Sequence, residues 1–467
     1  MQLPRHIFRE YDIRGVAERD LSSELVERIG AAYAATLREE LAGRAPLVAL
    51  SRDGRLSSPR IHAALVRGLR HVGAEVVDIG IGPTPQLYFA AFSLGTDGAI
   101  QITGSHNPGP DNGLKLMRGK ASFFGADIQA LLERIEKGPE PAAAAPGSYG
   151  ERDVAVAYIE ELRRSTRLPA SASSMKVVVD AGNGAAGPLG LRALRALGLD
   201  VDPLYCDIDG NFPNHHPDPT LPENLVALRE RVLSTGAKLG LAWDGDGDRL
   251  GAIDEHGEIV WGDKLMILFS RALLAEHPGA TILGEVKCSE TLFDDVRARG
   301  GRVLYARTGH SLIKSMMKAE GALLAGEMSG HLFFADRWLG FDDGIYAALR
   351  LLEIVAQHQK GLGELLGDVP RTYATPEIRV DVADEHKFEV VAKVRAHFEA
   401  SHPVLAIDGA RIDFGDGAWG LCRASNTQPV LVLRFEAKSE PRLAEIRAEV
   451  EAAVQAAGGS LQPSQAH

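Results

Sequence analysis

Asp244, Asp246 and Asp248 alternate with Gly245 and Gly247, and Arg249 follows directly. Three carboxylates this close repel one another unless a cation neutralises them. The intervening glycines let the backbone bend until the three converge. Hard oxygen ligands suit Mg2+ or Ca2+. An EF-hand loop is the nearest competitor, and Glu255 does stand at its twelfth position. Its sixth position, where the turn requires glycine, is Arg249, and the flanks Leu239–Trp243 and Leu250–Ile253 read as strands, so the EF-hand is rejected. Three carboxylates in one site favour a small ion that also uses a substrate phosphate, which selects Mg2+.

Ser105 stands in Thr103-Gly104-Ser105-His106-Asn107-Pro108. The G-x-S-x-G elbow of a serine hydrolase is absent, because Asn107 occupies its last position. The alternative is a serine that carries a phosphoryl group, held by the metal at the Asp triplet. Cationic and polar groups gather in other loops. Lys115 follows Ser105, Tyr11 and Arg14 lie near the N-terminus, Lys287 follows an apolar run, and His310 follows Gly309. Arg423-Ala424-Ser425-Asn426-Thr427 combines one cation, two hydroxyls and an amide, a set that can clamp a phosphate. Cations in the loops of an acidic chain predict a focused site for a small phosphorylated ligand.

The elements that must hold these loops recur three times. Leu47–Leu50, Glu75–Ile79 and Gly98–Ile102 are short apolar runs, with an amphipathic Ser58–Val72 between the first two. Lys176–Val179, Leu189–Leu197, Asp200–Tyr205 and Ala237–Trp243 repeat the plan, as do Thr281–Leu283, Ser289–Arg299, Arg302–Tyr305 and Gly321–Ala325. Such alternation predicts βαβ units around mixed or parallel sheets. After each third run comes a polar loop: Thr103–Pro108, Asp244–Arg249 and Gly326–His331. Open α/β sheets bind ligands at those strand ends. Three α/β domains therefore aim equivalent loops at one cleft. Gly138–Ser148 reads as a linker, with further boundaries near Asp254–Gly257 and Gly361–Pro370. The expected domains are 1–148, 149–254, 255–368 and 369–467. The last is a smaller α+β domain, with extended runs at Glu377–Val382, Gly409–Phe414 and Val430–Phe435 and a helix over Arg442–Val454.

Composition narrows the function. The chain has 467 residues, enough for roughly two to four domains, and its net charge is −12. An acidic chain without a basic block is a poor partner for nucleic acid or an anionic membrane. No apolar run approaches the ~18 residues of a membrane span, and the N-terminus lacks the apolar region of a secretory signal. Cys206, Cys288 and Cys422 are far apart, without metal-ligand spacing, and read as reduced buried thiols of a cytoplasmic protein.

Thr103–Pro108, Asp244–Arg249, Gly326–His331 and Arg423–Thr427, in this order, resemble the motifs of the α-D-phosphohexomutases. The third loop, Gly-Glu-Met-Ser-Gly-His, is similar to the bacterial phosphomannomutase/phosphoglucomutase branch. The related phosphoglucosamine mutases usually carry Gln where Met328 stands and Ala where Gly247 stands. The resemblance implies four domains around a deep cleft. It also implies Mg2+, a phosphoserine at Ser105 and glucose 1,6-bisphosphate as activator. The implied activity interconverts hexose 1-phosphate and hexose 6-phosphate, of mannose and/or glucose, through a bound 1,6-bisphosphate. By this resemblance the Asp triplet binds Mg2+ together with the Ser105 phosphate. Glu327, Ser329 and His331, with Tyr11 and Lys287, face the sugar. Arg423, Ser425, Asn426 and Thr427 hold the other phosphate. Arg249 neutralises charge, and His106, Lys115, His310 and Arg14 are candidates for proton transfer or charge stabilisation. The expected partners are small hexose phosphates, and the expected state is a monomer or weak homodimer. A phosphoglucosamine mutase, a Mg2+-dependent phosphatase and a non-catalytic sugar-phosphate-binding protein are the alternatives.

Overall fold

The computed structural model describes residues 3–426 and 428–460. The three repeats are present as three sheets with one shared plan. In the first, Leu47–Arg52 lies between Glu75–Ile81 and Gly98–Ile102, parallel to both. In the second, Lys176–Asp180 lies between Asp200–Leu204 and Leu239–Trp243, again parallel. In the third, Thr281–Glu285 lies between Arg302–Ala306 and Leu324–Gly326. A fourth strand then returns antiparallel to the third: Asp111–Arg118, Leu250–Ile253 and Leu332–Phe334. Each chemical loop is therefore the turn between a parallel strand and its antiparallel neighbour. The third unit departs slightly from expectation. Its strand starts at Leu324 and includes Gly326, so the loop proper begins at Glu327.

Two strands lie past the expected boundaries. Tyr149–Glu151 pairs with Glu75–Ile81 and extends the first sheet. The Asp254–Gly257 hairpin signal sits inside the second sheet, because the turn closed by Gly257 N on Asp254 O at 3.0 Å leads back into Ile259–Val260. The last sheet is antiparallel throughout, built on Val430–Ala437, Trp419–Ala424 and Ala410–Asp413. Helices Lys387–Glu399 and Glu440–Ala456 cover it.

Two largely buried helices place the site. Thr84–Leu94 has eight buried residues, and Gly344–His358 is buried at every position but Gln357 and His358. Thr84–Leu94 is apolar nearly all round, and its periodicity vanishes with its solvent face. No described helix is long and apolar enough to cross a membrane. All three cysteines are free and buried.

The segment after Leu204 folds back across the first two chemical loops. Gly245 N donates to Pro217 O at 3.1 Å, and His216 Nε2 bonds the His106 carbonyl. The adjacent His215 anchors it. Its Nδ1 meets the His216 carbonyl at 2.9 Å and its Nε2 meets the Asp180 carboxylate at 3.0 Å. Both partners only accept, so both ring nitrogens carry protons and the ring is charged. Burial opposes that charge, but the bonds to Asp180 and the carbonyl outweigh it and raise the pKa. A raised folded-state pKa stabilises fully below the ordinary value of about 6.5 and is lost as pH rises through the raised one. His215→Gln should therefore lower the melting temperature most at pH 6, with the gap to the native chain narrowing at alkaline pH in thermal scans.

Candidate active site

The Asp244–Arg249 loop turns tightly. Gly247 has φ +74°, and a side chain at Gly245 would place its Cβ 2.3 Å from the Ser105 carbonyl oxygen. Asp244, Asp246 and Asp248 are fully buried, and one ligand atom from each lies within 4.8 Å of the others. Opposite charge enters from the first sheet. Lys115 Nζ donates to Asp246 Oδ2 at 2.6 Å and also to Asp248 Oδ2. Thr84, at the start of its helix, donates its hydroxyl to Asp246 Oδ2 at 2.5 Å and its N–H to Asp246 O at 2.8 Å. Burial pushes Asp246 upward, but Lys115 and the Thr84 bond prevail and hold it well below the usual carboxylate range. Burial and repulsion by Asp248 and Asp246 push Asp244 well above that range. Lys115 stays an ammonium: burial opposes its charge, and the surrounding carboxylates outweigh burial.

Asp246 Oδ1 and Asp248 Oδ1 are buried without a hydrogen-bond partner among the described residues. Orphaned carboxylate oxygens in a triplet of carboxylates suit a hard divalent cation. The Asp triplet could bind a metal.

Ser105 joins this cluster directly. Its Oγ donates to Asp244 Oδ2 at 2.8 Å and lies 3.3 Å from His106 Nδ1. Its φ is +48°, a left-handed conformation that costs a non-glycine residue roughly 1–2 kcal/mol. Thr103 Oγ1 accepts its N–H at 2.8 Å. Burial, with Arg249 and Arg14 nearby, holds His106 well below the usual histidine range, so its ring is neutral. Arg14 grips the same loop through Asn107 Oδ1 at 2.9 Å and pairs with Asp12 at 2.6 Å.

The third loop zips onto the second. Leu250 N donates to Gly330 O at 3.0 Å, and Arg249 Nε donates to His331 Nε2 at 2.9 Å. The accepting Nε2 places the His331 proton on Nδ1 when the ring is neutral, 3.1 Å from Asp342 Oδ2 and 3.6 Å from Asp248 Oδ1. His310 stacks on His331 at 5.6 Å and faces Asp342 at 3.5 Å. Lys314 completes this group at 2.9 Å from Asp342 Oδ1. Burial, reinforced by Lys314, pushes His310 well below the usual range.

A second cluster gathers the remaining expected residues. Glu327 accepts from Gly309 N at 2.7 Å and from the Ser329 hydroxyl at 3.1 Å. Arg423 Nε donates to Asp408 at 2.9 Å, and Asp408 also accepts from Thr308 N at 3.0 Å. Lys287 lies 2.5 Å from Glu377 and 3.3 Å from Glu285, so its charge is already matched. Lys287 first among its neighbours holds Glu377 at a pKa of about 2. Ser425 accepts from Gln428 N at 3.2 Å, and its carbonyl accepts from Lys387 at 2.6 Å. Tyr11 ties the clusters together. Its hydroxyl donates to Thr308 O at 2.7 Å and accepts from Asn426 Nδ2 at 2.5 Å, while its ring meets His310 edge-on at 6.2 Å. Burial first of all raises the Tyr11 pKa to about 12. Thr427 lies outside the described residues.

Sequence reasoning missed Thr84, Asp342, Lys314, Asp408, Glu285 and Glu377. Asp342 had a signal, since Asp342-Asp343 directly precedes a long apolar run. Asp343 caps that helix, accepting from Ile345 N at 3.0 Å and Tyr346 N at 2.9 Å, and this leaves Asp342 for the site. Asp246→Asn should weaken divalent-cation binding about tenfold or more, read by titration with Mn2+ in the absence of sugar.

Four family models match the chain in order. The phosphoglucomutase/phosphomannomutase alpha/beta/alpha domain I matches residues 5–142, domain II 156–257, domain III 261–373 and the C-terminal domain 377–453. A phosphomannomutase/phosphoglucomutase of Pseudomonas aeruginosa is 46% identical over 98% of this chain and 97% of that protein. A phosphoglucomutase of Neisseria gonorrhoeae is 41% identical over 97% of each chain. A crystal structure of a phosphoglucomutase/phosphomannomutase family protein from Burkholderia thailandensis superposes with a TM-score of 0.91 at 43% identity, covering 98% of this chain and 99% of that one. With all four domains matched in order and relatives this close over nearly the whole length, the chain belongs to the phosphoglucomutase/phosphomannomutase family of mutases.

Proposed function

We propose that the chain interconverts the 1-phosphates and 6-phosphates of mannose and glucose through a phosphoryl group carried on Ser105. The observation that carries this reading is the 2.8 Å bond from Ser105 Oγ to Asp244, inside a cluster that joins the carboxylate triplet to Lys115 and Arg249. Phosphoryl transfer needs positioning and neutralisation of spreading charge more than covalent help. Asp244, Asp246 and Asp248 would hold Mg2+, which would neutralise phosphoryl oxygens at Ser105. Arg249 and Lys115 supply fixed positive charge beside them, and Arg14 holds the serine loop through Asn107.

In the first transfer, the P–O bond to Ser105 Oγ breaks and a P–O bond to the free sugar hydroxyl forms. The hydroxyl proton must leave. Of the candidates named above, Lys115 is held as an ammonium, whereas buried His106 and His310 are both neutral and able to take it. The product is a hexose 1,6-bisphosphate, which turns over so that its other phosphate faces Ser105. The reverse transfer rebuilds the phosphoserine and releases the isomer. Arg423, Ser425 and Asn426, with Thr427, would hold whichever phosphate is not reacting. Glu327 and Ser329 would face sugar hydroxyls, and glucose 1,6-bisphosphate would activate enzyme that has lost its phosphate. The mutually bonded Tyr11, Thr308 and Asn426 would part to admit substrate, with the last domain turning near Pro370. We assign the protein to the cytoplasm as a monomer or weak homodimer.

Phosphorus NMR with Mg2+, glucose 1-phosphate or mannose 1-phosphate, and a trace of glucose 1,6-bisphosphate tests the reading. A 6-phosphate signal should grow from both sugars, and Ser105→Ala should reduce its rate at least about 1000-fold. Accumulation of inorganic phosphate would make the protein a phosphatase, and turnover of glucosamine phosphate alone would move the substrate to the amino sugar. Binding without turnover would leave a sugar-phosphate-binding protein.

A further inference from the structure

The reacting serine sits in a strained left-handed turn, and something must hold it there. Arg55 lies beneath that turn and is 1% exposed. Its Nη2 donates to Ser105 O at 2.8 Å and Asn107 O at 2.6 Å; its Nη1 donates to Pro108 O at 2.6 Å and Asp111 O at 2.9 Å. The guanidinium therefore spans the serine turn and the start of the return strand with one rigid fork. Asp53 backs it from behind, 3.2 Å from Nε, and also accepts the Gly104 N–H at 3.2 Å. Phe212, in the segment that crosses from the second sheet, lays its ring 5.3 Å from the guanidinium carbon. A side chain at Gly104 would put its Cβ 2.4 Å from the same carbon, so the turn and the arginine are fitted to each other.

A buried cation ion-paired to a single carboxylate among the described residues is an expensive way to tie a loop. Its directional donors give what apolar packing cannot: a fixed direction for the Ser105 carbonyl, and with it the backbone conformation that aims Oγ at Asp244. Lysine could not reproduce this, because an ammonium is a point charge with three donors rather than a planar fork.

We propose that Arg55 is a positioning residue for phosphoryl transfer, holding Ser105 in its left-handed conformation through the carbonyls of residues 105–111. The proposal rests on reading Ser105 as the phosphoryl carrier. It makes the rate of transfer, and not the grip on the substrate's other phosphate, depend on Arg55.

Arg55→Lys and Arg55→Met should be made, with Phe212→Leu as a milder variant. Three quantities are read: steady-state kcat and KM, single-turnover labelling of Ser105 by glucose 1,6-bisphosphate from intact mass, and amide hydrogen exchange across the chain. Arg55→Met should lose about 100-fold in kcat and in labelling rate, Arg55→Lys less, and Phe212→Leu least. KM should stay within about twofold of the native value. Faster exchange should be confined to residues 104–111. Native kcat in Arg55→Met would overturn the proposal, as would a matched rise in KM or faster exchange throughout the chain. If the native enzyme takes no label at Ser105, the phosphoserine reading fails by itself. Exchange at 104–111 still decides whether Arg55 holds the turn: unchanged protection in all three variants overturns it.

Discussion

Three fully buried carboxylates with ligand atoms within 4.8 Å of one another coexist only where opposite charge meets them. The chain answers that constraint from several domains at once. Lys115 arrives on the return strand of the first sheet, Thr84 on a helix of the same domain, and Arg249 from the end of the carboxylate loop itself. The third loop then closes over Arg249 through His331 and Gly330. The domains are thus held in register by the same charges that would serve the chemistry. Ser105 is brought to Asp244 because its loop is trapped between the first sheet and this cluster.

The three-fold plan explains how one topology yields three different chemistries. In each unit the loop between the third strand and its antiparallel neighbour points to the shared centre. The strands fix position and the loops carry function, as in other α/β folds. One loop presents a nucleophile, one a carboxylate triplet, and one a glutamate with a serine and a histidine. The antiparallel fourth domain supplies Arg423 and Asn426 from the end of a strand, and Tyr11 links that end back to the first domain. A site assembled this way can open along one side without dismantling its reactive half. The bonds of Asp244, Asp246, Lys115 and Ser105 do not involve the last domain.

Much of this was legible because the chemical loops are dense in unusual residues. The Asp–Gly alternation and the Thr103–Pro108 turn stand out in any reading, and the strands before them are short apolar runs bounded by glycine. The helix Thr84–Leu94 was invisible for the opposite reason: buried nearly all round, it has no polar face to create a period. Single supporting residues were hidden too. Arg55, Asp342 and Asp408 look like ordinary charged residues until the fold buries them against partners about 30 to 100 positions away, at Ser105, His310 and Thr308. Sequence spacing carries no record of such pairings. Lys287 shows the converse. Its loop position suggests a place in the site, but its pairing to Glu285 and Glu377 appears only when the third and fourth domains meet.

The proposed chemistry requires Ser105 to be the group that carries the phosphoryl between sugars. Protein labelled with radioactive phosphate from glucose 1,6-bisphosphate, digested and then compared before and after a chase with unlabelled glucose 1-phosphate, measures this directly. The label should sit on the peptide containing Ser105 and leave it for the sugar bisphosphate within the time of a turnover. Label on another residue, or label released from Ser105 as inorganic phosphate, would contradict it.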